Sequence, residues 1–167
     1  MASRDETEFA RAFERGEIRH EVFHHPEHLR VAWVYLAECS NLTEAEARMR
    51  ESLRSFAARA GHSDKYHDTL TIFWVRLLAS ARGAFQNPPI QLAEVLSAHP
   101  YLLDKNAPLA YYSRQRLFSN EARATWIAPD LKALSGDRTA ADPGNTSSDA
   151  PHRTVSRATP ALRPVAG

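Results

Sequence analysis

The chain has 167 residues, 43% of them hydrophobic and 25% charged, which is the composition of a globular domain able to bury one core. Lys and Arg number 21 against 20 Asp and Glu, a formal charge of +1, so no strong field gathers nucleic acid or an anionic membrane, and neither is expected as a partner. The single cysteine, Cys39, excludes an intrachain disulfide and suits a reducing compartment; with no run of about 18 apolar residues and a charged opening, MASRDETEFARAFERGE, a cytoplasmic protein is expected.

Taken in chain order, the punctuation is helical. Residues 5–15 place Phe9 and Phe13 on one face and stop before Gly16, a natural left-handed terminator. A second helix is expected from Pro26 to Cys39, with His25 as N-cap, Pro26 at the first helical position and Glu27 near the positive end of the dipole. Thr43 and Glu46 have capping-box spacing for a third helix that ends before Gly61 and presents Ala45, Met49, Leu53 and Phe56.

Ser63 is the expected cap of a fourth helix, 64–82, with His67, Leu70, Thr71, Trp74 and Leu78 as its inward stripe. Asn87-Pro88-Pro89 starts a fifth, running to about Ala98, and His99-Pro100 closes it. Between 101 and 130, Pro108 interrupts and short helical turns follow caps at Ser113 and Ser119. From 135 onward Pro, Ala, Thr, Ser, Asp and Arg dominate, the composition of a disordered tail. The expected fold is all-α: one bundle of about five or six helices over residues 1–134, followed by a tail over 135–167.

Two segments carry the functional signal. FHHPEHLRVAWVYL (23–36) and DKYHDTLTIFWVRLL (64–78) each set histidine at the start of a helix that is otherwise nearly all apolar. His28 shares its face with Val31, Ala32, Tyr35 and Cys39, and His25 lies one turn earlier. This H-x-x-H pair, joined by His67, makes a three-imidazole ligand set for a divalent metal (Fe, Zn or Mn) with open positions for water or substrate. His24 is the second choice, and Glu27, Asp64 and Asp68 are carboxylates that would orient the rings.

Arg30 is the one charge in the apolar run of the second helix, either snorkelling, paired, or holding a substrate carboxylate. Tyr112 is a candidate pocket hydroxyl. His62, His99 and His152 read as loop or tail residues, and Ser113, Ser119, Arg116 and Arg123 as caps and surface charge. No nucleotide or flavin motif occurs.

The leading expectation is a small metal-dependent enzyme acting on a small molecule, with His67, His28, Arg30 and Tyr112 as catalytic candidates and His25, His28 and His67 as metal ligands. Two alternatives stand beside it: a non-catalytic ligand-binding or protein-interaction bundle, and metal-free acid/base chemistry on His28 or His67 with Arg30 holding an anion. Oligomeric state is left open.

The blocks HHPEHLRVAW, KYHDTLT and YYSRQRLFSNEAR together resemble an uncharacterised family of small bacterial all-helical proteins, whose pattern reads H-x-x-H-[LV]-R-x-A-W, K-Y-H-x-T-[LI]-T and Y-Y-S-x-x-R-L-x-S-x-E-A-R. The resemblance spans roughly residues 5–130 and implies no particular activity. It favours His25, His28 and His67 over His24 and draws Arg30, Lys65, Tyr66, Thr69 and Thr71 into the same neighbourhood.

Overall fold

In the computed structural model, which describes residues 2–85 and 91–134, the chain forms seven α-helices joined by 3-10 turns, with no strand among the described residues. The helices are α1 (Arg4–Arg15), α2 (His25–Glu38), α3 (Leu42–Arg59), α4 (Asp68–Gly83), α5 (Leu92–Ala98), α6 (Arg114–Leu117) and α7 (Asn120–Ala124). The all-α architecture is as expected. The starts of the proposed fifth helix (87–90) and the proposed tail (135–167) lie outside the described residues, which all fall within one compact unit, Met1–Asp137.

α1 follows the sequence closely. Ser3 and Glu6 close a capping box, and Gly16 ends the helix at φ 78°. α2 begins one residue earlier than expected, because His24 rather than His25 is the N-cap. Glu27 Oε2 accepts the His24 backbone N–H at 2.9 Å, which places Pro26 second in the helix rather than first.

α3 also starts early. Asn41 accepts from the Glu44 N–H at 2.9 Å, so the expected Thr43–Glu46 box is displaced. Glu46 instead turns inward, buried, and pairs with Arg76 Nε at 2.7 Å. α4 starts later than expected: Ser63–Lys65 forms a 3-10 turn, and His67 caps the helix.

The core follows from which helices are apolar all round. α2 buries Leu29 and the unbroken run Val31–Tyr35, and α4 buries Ile72, Phe73, Val75, Leu77 and Leu78, so both need neighbours on every side. α2 packs on α1, α3 and α4; α4 packs on α2, α3 and α7. The amphipathic α1 and α3 cover the outside, their inward Phe13 and Phe56 stacking around Phe23 at ring separations of 4.5–5.0 Å. No helix among the described residues is long and apolar enough to cross a membrane.

The segment after α5 is held by side chains donating to, or accepting from, its backbone. Thr69 Oγ1 donates to the Thr125 carbonyl at 2.7 Å and accepts from the Ile127 N–H at 3.2 Å. Tyr112 Oη donates to the Ile127 carbonyl at 2.8 Å, and Arg123 Nη1 to that of Asp64 at 2.9 Å. Ser113 and Ser119 cap α6 and α7 as expected.

Candidate functional site

α2, α3 and α4 enclose a cavity of about 540 Å³. α2 contributes His25, His28 and Ala32; α3 contributes Met49, Leu53, Phe56, Ala57 and Ala60; α4 contributes Leu70, Thr71, Trp74 and Val75. The connecting turns add His20, Phe23, His62, Lys65, Tyr66, His67 and Lys105. The walls are apolar, and the titratable lining among the described residues is five imidazoles, two ammonium groups and one phenol, with no carboxylate.

The three expected histidines all line this cavity, but each is held differently. His67 Nε2 lies 2.9 Å from the Leu117 carbonyl oxygen, which only accepts, so Nε2 carries the hydrogen. Its Nδ1 accepts from the Leu70 N–H at 3.3 Å as the cap of α4. Both nitrogens are therefore committed to backbone groups, and His67 fastens α4 to the C-terminal segment. Burial pushes its pKa down, the hydrogen bond to Leu117 opposing this.

His25 Nε2 donates to the Leu102 carbonyl at 2.7 Å and so anchors the 3-10 turn Pro100–Leu103, while its ring packs on Trp74 at 4.2 Å. Its pKa is also lowered, chiefly by burial. His28 Nδ1 lies 2.8 Å from the His24 carbonyl oxygen, which fixes the hydrogen on Nδ1 and leaves the Nε2 lone pair with no protein partner. Phe23 lies against the ring at 4.5 Å. Among the described residues the one sealed side-chain nitrogen without a partner is Trp33 Nε1, so His28 Nε2 keeps open access. Burial lowers the His28 pKa to about 4.

A three-imidazole metal ligand set is not assembled. His67 has no lone pair to give, and no group of three or more His, Cys, Asp or Glu among the described residues is placed to hold a metal ion. Two of the three neighbouring carboxylates, Glu27 and Asp68, are otherwise employed. Glu27 caps α2; Asp68, buried, accepts from Arg50 Nε at 3.1 Å, Arg54 Nη2 at 3.0 Å and Tyr66 Oη at 2.8 Å. Burial and the Asp68 contact push the Tyr66 phenol up to about 12.

Arg30 and Tyr112 lie outside the cavity. Arg30 pairs with Asp5 at 3.0 Å and covers the Phe9 ring at 4.0 Å, and Tyr112 is buried with its hydroxyl on Ile127. Reading the sequence misses His20, His62, Phe23 and Lys105 as cavity residues. The His20 and His62 rings meet edge to face at 5.0 Å, from turns far apart in the sequence, and no periodicity marks such a pairing. No family model, curated protein or solved structure matches the chain.

Proposed function

We propose that this protein binds a small molecule with an apolar body and an anionic group in the cavity between α2, α3 and α4. The observation that carries this reading is the lining: apolar and aromatic walls that carry two ammonium groups and, among the described residues, no carboxylate. A volume of about 540 Å³ is the size of cavity that small ligands fill. An anion entering it meets Lys65 and Lys105, both exposed, while the half-buried His25 and His28 are neutral near pH 7 and hold no charge against an apolar body. A metal held by His25, His28 and His67 would need a lone pair from His67, which gives both ring nitrogens to the backbone.

Isothermal titration calorimetry with 2-naphthoate and its uncharged amide tests the proposal. Naphthoate binds at one site, and the amide binds about tenfold more weakly, as does naphthoate to a Lys65→Ala, Lys105→Ala double variant. No heat of binding, or equal affinity for acid and amide, contradicts it.

A further inference from the structure

The lone pair on His28 Nε2 is the unusual group in this cavity. Its ring cannot turn the other way, because Nδ1–H is held on the His24 carbonyl at 2.8 Å, the same oxygen that accepts the His28 backbone N–H at 3.2 Å. Phe23 restricts the ring plane from one side at 4.5 Å. The cavity therefore presents, among apolar walls, an acceptor of fixed direction. Such a group discriminates: a ligand donor satisfies it, whereas an ether or carbonyl placed against it leaves two lone pairs facing each other.

We propose that His28 Nε2 reads a hydroxyl or N–H group on the ligand, so that the class of molecule held is an apolar, ring-sized acid bearing a hydrogen-bond donor besides its anion. This rests on the anion-binding reading of the same cavity and adds its specificity. The two kinds of group come from different parts of the fold: Lys65 and Lys105 from exposed turns, and His28 from the first turn of a helix packed into the core. His25 lines the same cavity, but its Nε2–H is spent on Leu102 and its ring lies on Trp74, so it serves as wall and anchor.

The test compares 2-naphthoate, 6-hydroxy-2-naphthoate and 6-methoxy-2-naphthoate on the full chain and on His28→Phe, which keeps an aromatic ring and removes the acceptor. With the unmodified protein the hydroxyl raises affinity about tenfold over 2-naphthoate and the methoxy group does not. In His28→Phe that gain disappears, so that 2-naphthoate and its 6-hydroxy derivative bind the variant with equal affinity. Nitrogen NMR of the unmodified protein gives a readout that needs no variant: the His28 Nε2 resonance moves with the hydroxy acid and stays in place with the methoxy acid. A hydroxyl gain that survives in His28→Phe, or a silent Nε2 resonance, overturns the assignment to His28 while leaving the anion site standing. Failure of 2-naphthoate itself to bind overturns both.

Discussion

At the scale of the residue, His28 shows how one hydrogen bond decides a side chain's chemistry. With its hydrogen placed on Nδ1 by the His24 carbonyl, further protonation has to occur at Nε2 inside an apolar cavity, and burial holds that off until about pH 4. An unfolded chain takes up the same proton at about pH 6.5. Below that value the unfolded state binds more protons than the native state, so stability from neutral His28 is complete above pH 6.5 and is lost as pH falls toward 4. The interval corresponds to about 3 kcal/mol as an upper bound. His25 and His67 shift in the same direction.

Denaturant midpoints measured between pH 7 and 5.5, where most carboxylates stay ionised, therefore fall with pH, and the slope flattens in His28→Phe. An unaltered slope contradicts a desolvated neutral imidazole at this position. The inward placement of His28 was legible from its spacing with Val31, Ala32 and Tyr35. Its tautomer was not, because the deciding acceptor is a backbone oxygen whose position depends on where the helix begins.

At the scale of the element, helix starts are where sequence and structure diverge. Thr43 and Glu46 have the spacing of a capping box, yet Asn41 caps α3, since Glu46 is needed inside to meet Arg76. The same holds at α4. Ser63 is a better intrinsic cap than His67, but Ser63–Lys65 is taken into a 3-10 turn, and His67 serves both the helix and the Leu117 carbonyl. That double role, with Thr69 bonded to Thr125 and Ile127, gives the KYHDT block a structural task that links it to YYSRQRLFSNEAR.

His67→Ala removes the cap acceptor and the donor to Leu117 together, and urea unfolding is expected to show a loss of about 2 kcal/mol. His67→Asn restores the cap, not the reach to Leu117, and recovers about half. If alanine at 67 costs less than about 0.5 kcal/mol, the clasp is not a stabilising element.

At the scale of the molecule, a near-neutral chain carries a cavity whose lining among the described residues holds no carboxylate, and several of its acidic residues are engaged elsewhere. Asp68 sits between Arg50 and Arg54, Glu46 on Arg76, and Glu14 and Glu38 on Arg48. Burial and these pairs remove carboxylates from the interior space without any bias in overall composition. The helical class and the apolar faces of α2, α3 and α4 were legible, since a 3.6-residue period records which side a helix buries. The cavity itself was not: His20, the pair His62 and Lys65, and Lys105 reach it from three separate turns, whose order in the sequence says nothing about where they meet.

The most direct measurement is a titration of nitrogen-labelled protein with 2-naphthoate, followed by backbone and indole NMR shifts. A binding site between the three helices moves Leu53, Leu70, Lys105 and the Trp74 indole saturably while α6 and α7 stay still. Shifts spread over the outer face of α6 and α7, or no saturable shift at Trp74, would contradict the placement of a ligand in this cavity.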